Sequence, residues 1–85
     1  MSKAEKLIER FKKVPSDFTW DELKALMRQL EYKELPAGKT GGSRVKFAND
    51  RKEIFSLHKP HPGNIVKKYV IEQILDTLKD RGIEL

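Results

Sequence analysis

The sequence predicts a small α+β domain in which helices pack on one face of a three-stranded antiparallel sheet, in the order α-α-β-β-β-α. Two observations predict this order. Apolar residues recur at helical spacing before residue 31 and again after residue 65, whereas apolar and polar residues alternate strictly in two segments between residues 43 and 58. A chain of 85 residues has room for one such domain, because chains of this size bury only roughly 60–65% of the surface that the unfolded form exposes. We therefore expect one compact core, without a deep enclosed site for a large cofactor.

The first helix is predicted from a short apolar stripe. Leu7, Ile8 and Phe11 have helical spacing and predict an amphipathic helix over residues 3–13. Its other positions are mostly Lys and Glu, as on a solvated helix face. Pro15 ends the helix.

The second helix has a start signal of its own. Thr19 and Glu22 have the spacing of a capping box, in which the Thr19 hydroxyl accepts from the Glu22 amide while the Glu22 side chain reaches back. Phe18, just before the cap, is expected to pack on Leu23 as a hydrophobic staple. Together with Trp20, the apolar stripe of this helix is expected in the core: Leu23, Leu26, Met27 and Leu30.

Three short strands are predicted next, because the period of the apolar residues changes to two. Val45 and Phe47 share one face of the middle strand, and Phe55 and Leu57 share one face of the last. The expected strands lie at residues 32–35, 43–47 and 54–58, joined by a turn-rich loop over residues 36–42 and a hairpin loop over residues 49–52.

The sheet face away from the helices is expected to be open to solvent, as antiparallel sheets permit. It would display four polar side chains together: Arg44, Lys46, Ser56 and His58. Two hairpin registers keep the apolar face intact. In one, Arg44 lies directly opposite His58; in the other, shifted by two residues, Arg44 lies opposite Ser56 and His58 is a diagonal neighbour. Arg44 and His58 are within reach of each other in either register.

A third, longer helix is predicted from about Ile65 or Val66 to Arg81. Gly82 follows at the position of a C-cap glycine. The buried stripe expected for this helix consists of Val70, Ile71, Ile74, Leu75 and Leu78.

Positive charge is concentrated in the middle of the chain. Residues 32–69 carry nine basic and three acidic side chains, against seven and six in residues 1–31 and two and four in residues 70–85. A focused positive surface usually faces a polyanion, and nucleic acid is the commonest one. The alternative is a lysine-rich solvated face.

Composition excludes several classes of protein. The chain has no cysteine, which excludes disulfide frameworks and thiolate metal sites. Its two histidines have no clustered carboxylates beside them, so a metal centre is not favoured. The first residues lack an apolar signal region, and no apolar run approaches 18 residues. We therefore expect a cytoplasmic protein with neither a membrane anchor nor a cofactor.

An imidazole beside a guanidinium on a basic surface suits cleavage of RNA without a metal. Attack of a ribose 2′-hydroxyl on the neighbouring phosphate needs a base, and the leaving 5′-oxygen needs an acid; histidine can serve either role. Arginine donors neutralise the charge that grows on the phosphate. These roles fall to His58 and Arg44, the alternative being that His58 merely ends a strand.

A second histidine lies just before the third helix. His61 is flanked by Pro60 and Pro62, which restrict the backbone around it. This suits a fixed functional side chain and equally suits a plain turn. The amides of residues 64–66, at the expected helix start, would be free to hold a phosphate, and the lysines at 67–68 would strengthen that site.

Several runs of residues together match one known family. They are Thr19-Trp20-Asp21-Glu22-Leu23, Gly41-Gly42-Ser43-Arg44-Val45-Lys46-Phe47, Leu57-His58-Lys59-Pro60-His61-Pro62-Gly63-Asn64 and Lys67-Lys68-Tyr69. They resemble the HicA toxins, and the His-Lys-Pro-His-Pro-Gly string is the most specific part. The resemblance implies a fold similar to a double-stranded-RNA-binding domain, translation-independent cleavage of mRNA, and neutralisation by a HicB antitoxin. It implies a single HicA-like domain over residues 1–85, with its core at 19–82 and residues 1–15 as an added N-terminal helix.

One position departs from the family pattern. Many HicA proteins have Gly-Ser-His where this chain has Gly42-Ser43-Arg44, and that histidine is taken as catalytic. Arginine cannot act as a base at neutral pH, so either His58 performs the chemistry or this chain binds RNA without cutting it. We predict an RNA-cleaving toxin with His58, Arg44 and His61 as catalytic residues; the alternative is a non-catalytic RNA-binding or protein-interaction module of the same fold. The residues expected to contact RNA are Lys39, Ser43, Lys46, Ser56, Lys59, Asn64, Lys67 and Lys68.

Overall fold

The structure is a computed structural model that describes residues 3–36, 44–60, 63–83 and 85. The predicted order α-α-β-β-β-α is confirmed. The elements are α1 (Lys3–Lys12), α2 (Trp20–Gln29), β1 (Lys33–Glu34), β2 (Arg44–Ala48), β3 (Ile54–His58) and α3 (Lys68–Asp80). Among the described residues, no helix has the length and apolar character needed to cross a bilayer.

The three strands form one antiparallel sheet in the order β1-β2-β3. Arg44 pairs with His58 and Phe47 pairs with Phe55, so the structure adopts the first of the two registers that the apolar pattern allows. The hairpin loop selects it: the Asn49 amide donates to the Glu53 carbonyl at 3.2 Å, and the Asn49 side-chain oxygen accepts from the Glu53 amide at 2.9 Å. A loop closed in this way leaves no freedom for a two-residue shift.

The core lies between the sheet and the helices, and α1 contributes to it. Phe11 of α1 is fully buried, and its ring centroid lies 5.2 Å from that of Phe18. Phe18 and Leu23, the two residues of the expected staple, are both fully buried in the core. The other buried side chains are Trp20, Leu26, Met27, Tyr32, Phe47, Phe55, Leu57, Val66, Ile71, Ile74 and Leu78.

The capping box of α2 also ties α1 to the domain. The Glu22 amide donates to the Thr19 hydroxyl at 3.1 Å, and Glu22 accepts from the Thr19 amide at 3.0 Å. The same carboxylate accepts from Arg10 of α1 through Nε at 3.0 Å and Nη2 at 3.2 Å. Arg10 also donates to Asp17 at 2.9 Å, and its guanidinium lies 5.6 Å from the Phe18 ring centroid. One carboxylate therefore caps one helix and holds another.

The predicted start of the third helix, at Ile65 or Val66, is two or three residues too early. Residues 65 and 66 are extended, because Ile65 forms a β-bridge with Thr19 and the Val66 amide donates to the Phe18 carbonyl at 2.7 Å. The helix begins only at Lys68. These main-chain bonds join the segment before α3 to the segment before α2, and they outcompete one more helical turn.

The predicted end of the third helix is confirmed. Gly82 has φ +76°, a left-handed conformation that favours glycine. Its amide donates to the Lys79 carbonyl at 3.0 Å, and the Ile83 amide donates to the Leu78 carbonyl at 2.9 Å. This pair of bonds is a Schellman motif, which satisfies the last carbonyls of α3.

Replacement of Glu22 by Gln should destabilise the fold in a pH-dependent way. Hydrogen bonding from Arg10 lowers the pKa of the Glu22 carboxyl below its usual 4.5, against a smaller opposing effect of desolvation. Because the folded chain binds this proton less readily than the unfolded chain, the charge stabilises the fold above about pH 4.5 and ceases to do so as the pH falls through the folded pKa. Gln keeps the capping box but lacks the charge.

We expect Glu22→Gln to melt about 2–5 °C below the parent at pH 7, and the difference to shrink towards pH 2.5, measured by circular dichroism. Glu72→Gln, on the exposed side of α3, is the matched control and should leave Tm unchanged. A Glu22→Gln deficit of constant size across this range would contradict a role for the charge.

Candidate nucleic-acid interface

The four polar side chains predicted on the sheet face away from the core are exposed there. Arg44 and Lys46 of β2 and Ser56 and His58 of β3 are all exposed, whereas Phe47, Phe55 and Leu57 on the other face are buried. We call this surface the open face. The strands define the directions of its side chains, because alternate residues must point to opposite sides of the pleat.

Arg44 and His58 are in direct contact on the open face. Nη2 of Arg44 lies 3.2 Å from Nε2 of His58. A guanidinium has donors but no acceptor, so in this hydrogen bond Nε2 of His58 is the acceptor. The lone pair that would take a proton from a substrate is therefore held by Arg44.

The open face also contains a cation that the sequence reading missed. Lys33 of β1 pairs with Ala48, which lies on the same face of β2 as Arg44 and Lys46, and directly paired residues share a face. Its position was predictable, because Tyr32 is buried and the next residue of a strand points to the opposite face. Within the described part of the chain, the open face has no carboxylate: Lys33, Arg44, Lys46, Ala48, Ile54, Ser56 and His58 compose it.

Further cations lie at the ends of β3 and α3. Lys59 follows β3, Lys67 is the N-cap residue of α3, and Lys68 is its first residue; all three are exposed. In the described ranges, none of these lysines forms an ion pair, and neither do Arg44 and Lys46, whereas Arg10, Lys24 and Arg81 elsewhere do. The unpaired cations leave this side of the molecule positively charged.

A cavity of about 360 Å³ lies between β3 and the start of α3. Ser56, His58 and Lys59 line one side, and Lys67, Tyr69 and Gln73 line the other. His58 therefore faces both Arg44 and this cavity. Tyr69 and Gln73 were not predicted as site residues. Tyr69 lies outside the apolar stripe of its helix, and an aromatic residue at such an exposed position could have indicated a binding role.

Of the three amides expected to hold a phosphate at residues 64–66, that of Val66 is already hydrogen-bonded within the chain. The Val66 amide donates to Phe18, and the carbonyl of Asn64 accepts from the Trp20 amide at 2.7 Å. Because α3 starts later, its first free turn lies at Lys68 and Tyr69. The Asn64 side chain remains exposed.

Three of the predicted site residues, Lys39, Ser43 and His61, lie outside the described residues. Among the residues that are described, no group of three or more His, Cys, Asp or Glu side chains is arranged to hold a metal ion.

Comparison with protein families identifies the family of this chain. The family model described as the HicA toxin of bacterial toxin-antitoxin matches residues 20–83. The chain belongs to the HicA toxin family, and the resemblance stated above is confirmed. Searches of curated proteins and of solved structures found no match. The protein is thus the toxin component of a toxin–antitoxin pair, and α1 lies outside the matched segment.

Proposed function

We propose that this HicA toxin is an endoribonuclease that binds mRNA on the open face and cleaves it without a metal ion. The supporting observation is the contact of 3.2 Å between Arg44 Nη2 and His58 Nε2 on an exposed face whose described residues include no carboxylate. This contact places a group that can transfer protons beside a group that can bind phosphate, both on strands of the sheet. A lysine-rich face that served only solvation would need neither the imidazole nor the guanidinium.

His58 is proposed to transfer the proton that starts the reaction. Its Nε2 takes the proton of a ribose 2′-hydroxyl, the 2′-oxygen attacks the adjacent phosphorus, and the bond from phosphorus to the 5′-oxygen breaks. The 5′-oxygen leaves with a proton supplied by a general acid, and the other product ends in a 2′,3′-cyclic phosphate. His61 is the proposed second proton-transfer residue.

Arg44 is proposed to change partner when RNA binds. A phosphate accepts two charge-assisted hydrogen bonds from a guanidinium, and these are stronger than one bond to a neutral imidazole. When Arg44 turns to the phosphate, its hold on the Nε2 lone pair ends and His58 can act as a base. Substrate would thus activate the residue that cleaves it, and Arg44 would neutralise the charge growing on the phosphate.

The pairing of β2 with β3 offers an account of the departure from the family pattern. Arg44 stands where many family members have histidine, and His58 is its direct partner on the neighbouring strand. The imidazole is therefore retained on the same part of the sheet, on the neighbouring strand. Cβ atoms of directly paired residues lie about 5 Å apart. This supports His58 as the residue that replaces the family histidine.

The lysines are proposed to bind the phosphate backbone without regard to sequence. Lys33 and Lys46 lie on the open face with the Arg44–His58 pair, and Lys59, Lys67 and Lys68 are exposed at the end of β3 and the start of α3. The polar residues Ser56 and Asn64 are exposed at the same surface, and Ser43 and Lys39 precede β2 in the chain. Such contacts position an RNA strand but do not select it.

A second function is favoured by the arginine at position 44. If the family histidine is lost without replacement, the same surface binds RNA, or the antitoxin, and does not cut. A cleavage assay separates these functions, because only the nuclease yields RNA products.

We expect the purified protein to cleave single-stranded RNA in EDTA and to yield 2′,3′-cyclic phosphate ends. His58→Ala should lower the rate constant by about 10²–10⁴ and leave Tm unchanged, because the side chain is exposed. Gln29→Ala, at an exposed position at the end of α2, is the control and should keep the full cleavage rate. Full activity of folded His58→Ala would contradict the assignment, and absence of products from the parent protein would leave only the binding function.

The antitoxin partner of this family member is proposed to be a HicB-like protein that covers the open face with carboxylates. Electrostatic matching of this kind speeds association and orients the partners. Lys46→Glu on the open face should weaken the complex at least about tenfold, whereas Lys12→Glu on α1 should not, measured by surface plasmon resonance with the antitoxin from the adjacent reading frame. Equal effects of the two variants, or an effect of Lys12→Glu alone, would place the antitoxin elsewhere.

A further inference from the structure

We propose that the cavity between β3 and α3 is a nucleobase-binding site, which holds one base of a single-stranded RNA next to the phosphate at Arg44 and His58. The inference rests on the proposed function and extends it to the mode of substrate binding. A cavity of about 360 Å³ falls in the size range of small-ligand sites. His58 lines the cavity and contacts Arg44, so a base in the cavity belongs to a nucleotide beside the proposed reaction centre.

Tyr69 supplies a surface for stacking. Its side chain lies in the first turn of α3, at the cavity wall, and it is 57% exposed. The buried stripe of α3 consists of Ile71, Ile74 and Leu78, so Tyr69 has no part in the core. Exposed aromatic rings beside cationic surfaces are what single-stranded nucleic-acid sites use, and each stacked base contributes about 5- to 150-fold in affinity.

The remaining lining residues fit the second ring face of a base and its polar edge. Leu57 and Val66 are buried and give the cavity an apolar floor, and Ile65, at 45% exposure, extends it outwards. Gln73 lies one helical turn after Tyr69 and therefore on the same side of α3. Its amide has both donors and an acceptor, the groups needed to pair with a base edge.

The positive charge at the cavity favours binding of a nucleotide over binding of an uncharged aromatic ligand. Lys59 and Lys67 stand at the cavity, and none of its described lining residues is acidic. The combination of an exposed ring, an amide and two cations fits a base with its attached phosphate. An acidic segment of the antitoxin would use the cations but leave the ring and the amide without a specific role.

The test measures binding of an uncleavable RNA, so that it does not depend on catalysis. The probes are a fluorescently labelled 2′-O-methyl oligouridine and an abasic oligomer of the same length and charge, titrated by fluorescence anisotropy. We expect the parent protein to bind the base-bearing oligomer at least about fivefold more tightly. Tyr69→Ala should abolish this difference, and Tyr69→Phe, which retains an aromatic ring, should preserve it.

Salt dependence separates stacking from charge. Tyr69→Ala should leave the slope of log K against log salt unchanged, whereas Lys67→Ala should reduce its magnitude by about 0.7. Lys12→Ala, on α1, is the matched lysine control and should change neither quantity. Melting temperatures identify any variant that has lost its fold.

Three results would overturn the proposal: equal affinity of the parent protein for the two oligomers, base discrimination that survives Tyr69→Ala, or a Tyr69→Ala defect confined to antitoxin binding. Failure of catalysis is distinguishable from these. RNA cleavage without base discrimination would contradict the nucleobase site alone. Base discrimination without cleavage products would contradict the nuclease activity alone.

Discussion

The register of the β2–β3 hairpin determines which side chains meet on the open face, and the proposed reaction centre depends on it. Asn49 closes the hairpin with main-chain and side-chain bonds to Glu53, which sets Phe47 against Phe55 in the core and Arg44 against His58 outside. A shift of one residue would exchange the two faces. It would bury charged side chains without partners, at a cost of several kcal/mol each. Packing of the core thus fixes which face of the sheet carries the proposed catalytic pair, and the hairpin loop places its two residues opposite each other.

The cavity beside His58 depends on a second constraint, formed between segments distant in sequence. Residues 64–66 are held against residues 18–20 by two main-chain hydrogen bonds of 2.7 Å each. Because they delay the start of α3, they leave Ile65 extended at the cavity wall and place Tyr69 in the first helical turn. The capping box of α2, which Arg10 supports from α1, holds the other side of this junction. The N-terminal helix therefore stabilises the segment against which α3 is placed.

Most of the fold was predictable because its signals are local. The capping box at Thr19 and Glu22, the alternation in β2 and β3, and Gly82 after α3 each depend on residues close together in sequence. The start of α3 was not predictable, because the bridge between Thr19 and Ile65 leaves no periodic pattern. The open face was found from alternation alone. The cavity was not, since it requires two elements to be placed relative to each other, and Lys33 was missed because β1 is only two residues long.

Exchange of the two paired residues tests the central claim most directly: an imidazole and a guanidinium, adjacent on this strand pair, cleave RNA. His58→Arg alone leaves two arginines and should lose about 10²–10⁴ in cleavage rate. Combining it with Arg44→His restores the pair in exchanged positions and recreates the histidine at the position where the family pattern has one. We predict that the double variant recovers cleavage to within about tenfold of the parent, a barrier difference of roughly 1.4 kcal/mol, with 2′,3′-cyclic phosphate products. A folded double variant as inactive as His58→Arg, or a fully active His58→Arg, would contradict the claim.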